Sequence, residues 1–411
     1  MPAIRMFSLA LAAISALSPT AVNAAPTLTT LYSFQGGVGD GAGPLDQLTF
    51  VGGTLYGTTF IGGPNASGTI FSYNIATKTE AIVYAFKGEP DGAGPKAGLI
   101  YSHDTFYGTT QNGGTTDKGT VFAFSTSTGE SVLHSFAGGT TDGEGPQAAV
   151  TYLGGFLYGT TRIGGGTGCY ASTGCGTIFR INSKTGQLSL LYDFQGGADG
   201  NYPNAALTIA DGIMFSITHG GGGTKCFGGA GCGTVFEYDP TTKAYMQLHA
   251  FQGGATDGAL PMGSLVLAGG LLYGTTIEGG GTGCGGAGCG TIFSINPVTG
   301  AYTNLTNFNG TDGDHPQGGL TLSVHRGFDT TTATTLAFGP TTGGGTSSKG
   351  TIFQFNLLKN KETVLYNFTG GADGGDPSGA LTESPPRGGP FYGTTYLGGA
   401  SQSGTLFQFK P

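Results

Sequence analysis

Five residues interrupt a repetitive chain with groups that titrate or carry charge: Arg162, His219, Glu278, Asp314 and His315. A guanidinium grips oxyanions through paired donors, an imidazole exchanges protons near neutral pH, and carboxyls serve as acids, bases or metal ligands. These five are the candidate ligand-binding residues, and they would be the catalytic set if the chain were an enzyme. No catalytic residue is assigned. The chain carries no nucleophile elbow, zinc helix motif or dinucleotide loop, and charged residues make up only 10% of it. His219 and His315, taken singly, read as solvated loop residues; what marks the five is that they depart from a repeated pattern.

A second set of chemically capable residues repeats. Asp40, Asp91, Asp142, Asp199, Asp257, Asp312 and Asp373 each sit in a version of Phe-x-Gly-Gly-x-Asp-Gly-x-x-Pro. A ring of seven carboxylates invites a calcium reading. Calcium takes about six to eight oxygens, however, and each short loop offers one regular carboxylate. An Asp before Gly ordinarily bonds nearby backbone N–H groups and fixes a turn. The seven Asp are therefore read as structural, with no cofactor expected and calcium the disfavoured alternative. Cys169 and Cys175, Cys226 and Cys232, and Cys284 and Cys289 fall in one Gly-rich loop of three successive units. Paired spacing in an exported chain predicts three local disulfides, each worth about 2 kcal/mol by loop closure; a zinc site of four thiolates is the alternative.

The remaining histidines sort by register. His134 and His249 stand where other units have Tyr32, Tyr84, Tyr192 and Tyr366, and so read as packing residues. His103 falls in a turn on the opposite face, and His325 in an insertion of the sixth unit. The residue after each Tyr-Gly-Thr-Thr phrase is Phe60, Gln111, Arg162, His219, Ile277, Thr342 and Tyr396 in turn. That position is either free surface or the place where an asymmetric ligand is read. The phrase's own tyrosines, Tyr56, Tyr107, Tyr158, Tyr273 and Tyr392, read as packing between sheets.

The elements that hold these residues follow from the period. The repeat Asp residues are separated by 51, 51, 57, 58, 55 and 61 positions. In the first unit four short strands are predicted, over residues 46–51, 54–59, 68–74 and 80–86, each rich in β-branched or aromatic residues and bounded by Gly, Asn, Asp or Pro. No helical period appears. Four strands repeated seven times predict an all-β fold, a seven-bladed β-propeller, with an open β-solenoid as the alternative. The chain ends are complementary. Residues 27–34 match a fourth strand, while the last unit stops after a third strand at residues 404–409. The N-terminal strand is therefore expected to complete the last blade and close the ring. In that fold the Asp-Gly loops and the Gly-rich loops share one end of the ring, here called the top face.

The three phrases Phe-x-Gly-Gly-x-Asp-Gly-x-x-Pro, Tyr-Gly-Thr-Thr and Gly-Gly-x-Gly-x-Gly-Thr-Ile-Phe together resemble the GloVer-type (Gloeo/Verruco) tandem repeat of secreted bacterial proteins, from about Leu31 to Phe409. The resemblance implies an exported, propeller-like repeat protein and carries no activity with it. Members with surface anchors end in sorting tails that this sequence does not show.

Composition bounds the function. Gly accounts for 83 of 411 residues and Trp is absent, leaving 27 Phe and 18 Tyr to build a core. The formal charge is −8, with no Lys/Arg stripe of the kind a phosphate backbone requires, so nucleic acid is excluded as a partner. Residues 1–24 read as a signal peptide: Arg5, an apolar run over 6–17, and a small-residue cleavage site at Val22-Asn23-Ala24. That run is too short to span a bilayer. The mature chain, 25–411, is expected as a single monomeric propeller in the periplasm or outside the cell. The function expected is a binding or interaction scaffold for polysaccharide or a cell-surface protein. An exported polysaccharide hydrolase or lyase and a purely structural envelope or matrix protein stand as alternatives.

Overall fold

Gly-Thr-(Ile/Val/Leu)-Phe can serve as a central strand because its side chains are buried on both faces: Thr69, Ile70 and Phe71 are all fully buried. The structure, a computed structural model, describes residues 25–169, 173–326, 333–386 and 388–411; the expected signal peptide lies outside the described residues. In the first blade, strands Thr49–Val51, Thr54–Thr59, Thr69–Asn74 and Thr79–Ala85 pair antiparallel in that order. The same order recurs around the ring to give seven four-stranded blades, with top-face residues Gly258–Pro261 added to the fifth sheet. The first strand is shorter than the 46–51 expected from sequence. Residues 45–48 instead run down the axis, where they line a cavity with their counterparts from the other units.

The chain ends meet as predicted. Thr27–Ser33 pairs with Thr405–Lys410, from Thr27 opposite Lys410 to Ser33 opposite Thr405, and completes the sheet of Phe391–Thr395 and Thr382–Glu383. The last blade thus carries a strand from each end of the chain. The junction is also packed like the others: Phe34 meets Phe71 at 5.0 Å, and Thr382 Oγ1 donates to the Leu48 carbonyl at 2.6 Å.

Three contacts repeat at every junction or blade. The Phe that ends each fourth strand packs edge-on against the Gly-Thr-(Ile/Val/Leu)-Phe ring of the next blade, with centroids 5.0–5.4 Å apart at all seven junctions. Such pairs contribute about 0.5–1.5 kcal/mol beyond area burial. The residue before each repeat Pro donates its N–H to a carbonyl in the preceding Gly-rich loop, over 2.8–3.1 Å; the acceptors are Ser403, Ser67, Lys118, Cys175, Cys232, Cys289 and Lys349. Within each blade the last Thr of Tyr-Gly-Thr-Thr, or its equivalent, bonds the Thr of the neighbouring strand at 2.7–2.9 Å. The Gly of the same phrase is required by close approach, since a Cβ at Gly57 would fall 2.6 Å from the Phe71 ring. In the fourth blade Ser216 stands there, and its buried hydroxyl lies 3.2 Å from the Ala205 carbonyl.

Candidate functional site

The repeat Asp carboxylates are occupied by their own loops. Each accepts the N–H of a residue shortly before it, from Gln35 for Asp40 to Thr369 for Asp373, over 2.6–3.0 Å. Asp40, Asp91, Asp199 and Asp373 also accept a tyrosine hydroxyl. His134 and His249 do more than pack: each places Nε2 within 3.3 Å of Asp142 or Asp257, and His249 stacks on Tyr302 of the next blade at 3.8 Å. The phrase tyrosines lie between blades, with Tyr56 4.4 Å from Phe106 and Tyr107 6.0 Å from Tyr152.

The three disulfides form within their loops, as predicted from the spacing. Cys175, Cys232 and Cys289 are buried, and their carbonyls are the junction acceptors. Each staple therefore fixes a point where two blades are joined. Cys284, Cys289 and Asp314 bring potential metal-ligating atoms within 4.8 Å of one another, but the two sulfurs are bonded to each other and offer no thiolate.

The axial cavity has a volume of about 330 Å³ and is walled by the segments that follow the seven repeat prolines. This is near the lower end for a small-ligand pocket. Directly after Pro the chain presents Leu45, Lys96, Gln147, Asn204, Met262, Gln317 and Ser378 in turn. Lys96 is the cavity's ammonium, and its Nζ donates to Gln147 Oε1 at 3.3 Å. Burial first, and then the nearby Arg162, holds Lys96 below the ordinary lysine range. Asp46, the carboxylate in the wall, accepts the N–H groups of Gly98 and Gln47.

Above the wall sits a rim made of two interlocking positions, the residue after Tyr-Gly-Thr-Thr and the residue before Pro. Phe60 and Tyr396 lean over Gly94 and Gly43 of the following unit, where a Cβ would fall 3.1 and 2.6 Å from the rings. Arg162 follows the same path and lays its guanidinium over Tyr202, 5.0 Å from the ring centre. His219 reaches the Pro261 carbonyl at 3.4 Å. Burial lowers the His219 pKa, and the charges of Arg162 and Lys96 lower it further. Arg162 and His219, two of the five residues singled out by sequence, thus meet on one side of the rim. Lys96 joins them.

The other three do not join that cluster, although His315 holds the rim position before Pro316 in the sixth unit. Glu278 is one position beyond the rim, in a ladder opposite Ala259. His315 Nδ1 lies 2.6 Å from Asp314 Oδ1 in the sixth unit. His103 is in its opposite-face turn, 5.4 Å from Tyr152, and His325 lies in strand Thr321–Arg326. Sequence reasoning missed Lys96, Asn204 and Tyr202. The signal for Lys96, Asn204 and Tyr202 was the variable residue on either side of each repeat Pro.

The rim backbone is itself unusual. Units one to three place Gly before Pro, at left-handed φ. Units four to seven hold the same conformation with Tyr202, Leu260, His315 and Asp376, at φ 56, 58, 55 and 59°. A side chain there costs on the order of 1–3 kcal/mol. Bulky and ionisable groups thus stand at the mouth where Gly would be cheaper.

The Gloeobacter/Verrucomicrobia repeat family matches residues 19–173 and 165–337. No curated protein matches the chain. Among solved structures, the oligogalacturonate lyase from Vibrio parahaemolyticus is 10% identical with a TM-score of 0.57, covering 93% of each chain. An oligogalacturonate lyase in complex with manganese is 12% identical with a TM-score of 0.55, covering 94% of this chain and 96% of the other. At such identities the likeness is one of fold.

Proposed function

As the chain belongs to the Gloeobacter/Verrucomicrobia repeat family, a family described by its repeat, we propose that it is an exported binding scaffold that holds its ligand at the top-face mouth of the propeller. One observation carries this reading. The contacts that build the ring recur from unit to unit, whereas the residue after Tyr-Gly-Thr-Thr differs at every unit and the residue before Pro changes from Gly in units one to three to Tyr202, Leu260, His315 and Asp376 in units four to seven. A framework that repeats seven times specifies only a symmetric surface, so a ligand without that symmetry must be read by residues that vary. Loops on a rigid scaffold are where binding groups usually concentrate. Three disulfides suit an oxidising compartment, and among the described residues no helix is long and apolar enough to cross a membrane. Polysaccharide and cell-surface protein are the partner classes proposed.

The test is a glycan array and a surface-protein pull-down with the purified protein, repeated with Arg162→Ala/His219→Ala. The expected result is a captured partner whose affinity falls at least tenfold in the double variant while the melting transition is kept. Capture that persists undiminished in the variant rejects the mouth as the site. Turnover of a captured glycan would replace the scaffold reading with an enzyme.

A further inference from the structure

Resting on that reading, the geometry points to the ligand's chemical class: the mouth between blades two and four is built for the carboxylate or sulfate of an acidic saccharide. Lys96 lines the cavity. Arg162 is laid over Tyr202, two residues before the cavity-lining Asn204. His219 bonds Pro261, the residue before the cavity-lining Met262. Three nitrogen bases from successive blades therefore reach one side of one opening, in a chain whose net charge is −8.

Among the described residues, neither Lys96 nor Arg162 forms an ion pair. The electrostatic neighbours of Lys96 and His219 are other bases, and both are pushed toward their neutral forms. A group of like charges partly withdrawn from water is relieved by an anion seated among them. The planar guanidinium also suits a two-oxygen acceptor.

The saccharide part follows from the wall. Asn204 Oδ1 is buried and accepts no hydrogen bond from any described group, so it offers an acceptor to a hydroxyl donor. Gln147 and Gln317 add amides around the same opening. Tyr202 gives the rim an aromatic group at a backbone angle where units one to three use Gly.

Calorimetry on the purified protein tests the class, with oligouronates, sulfated oligosaccharides, neutral oligosaccharides of matched length and inorganic phosphate as separate probes. One acidic oligosaccharide should bind, its neutral counterpart at least tenfold more weakly. Lys96→Met and Arg162→Gln should each lose at least tenfold in affinity, with Lys96→Arg retaining most of it. Tyr202→Gly, which gives unit four the residue of units one to three, should weaken binding without lowering the melting temperature. The oligouronate and sulfated arms separate the two sources of the anion. Binding of phosphate alone, or of no acidic saccharide, overturns the inference. So does acidic binding that survives Lys96→Met and Arg162→Gln. A neutral glycan that binds at the mouth equally well overturns the anion site and leaves the scaffold reading standing.

Discussion

Tyr84 places one phenol between two carboxyl groups, its Oη 2.7 Å from Asp91 Oδ2 and 3.2 Å from Glu130 Oε2. Three junctions pair a fourth-strand Glu with the Asp of the preceding loop: Glu80 with Asp40, Glu130 with Asp91, and Glu362 with Asp312. Burial, reinforced by the neighbouring Asp, pushes each Glu up to about 7. Hydrogen bonding from Tyr32 to Glu80, and from Tyr84 to Glu130 with Lys87 beside it, opposes that rise without cancelling it. A carboxyl whose pKa is raised on folding binds more protons folded than unfolded. Its contribution is complete below about pH 4.5 and disappears as pH rises through about 7. The melting temperature of the Glu80→Gln/Glu130→Gln/Glu362→Gln variant should therefore exceed that of the parent at pH 8 and match it near pH 4. After allowing for solvent screening the gain is about 1 kcal/mol per site. Parallel profiles across that range would remove the carboxyl pairs from the account.

Strands and loops of this chain are bonded in two ways, within a blade and across a junction, and the two are separable. A chain beginning at Gly36 loses the strand Thr27–Ser33 and the Phe34–Phe71 contact together; calorimetry should show the single cooperative transition broadened or split. Replacing Cys226 and Cys232 by Ala opens one staple, for a loss of about 2 kcal/mol and a fall of a few degrees in melting temperature. The ring should persist in that variant, because the junction bond from Leu260 N–H uses the Cys232 backbone carbonyl and not its sulfur. Blade number, strand order, closure and disulfide pairing were legible in the sequence because each is written in a period, a register or a spacing. The axial wall was not. Residues 46–48 read as the start of a strand, and only the three-dimensional path shows that the segment after Pro lines the cavity. Arg162 and His219 stood out by breaking a phrase, whereas Lys96 sits in a position without a fixed residue and broke nothing. Glu278 departs from the repeat as Arg162 and His219 do, but one step of strand register separates it from the rim.

The whole ring is nearly symmetric in its covalent pattern and asymmetric at its mouth. Lys96, Arg162 and His219 come from units two to four, on one side of a cavity of about 330 Å³. The turns between first and second strands, at Gly52-Gly53, His103-Asp104, Gly154-Gly155, Asp211-Gly212 and Gly269-Gly270, form the opposite face. A ligand read by the mouth must leave those turns untouched. Amide hydrogen exchange on the protein, alone and saturated with the saccharide that binds it most tightly, distinguishes the two faces directly. The account predicts slowed exchange over residues 94–98, 145–149 and 202–206 and at Arg162 and His219, with the opposite turns unchanged. Protection confined to the opposite turns, with the rim exchanging as before, would contradict it.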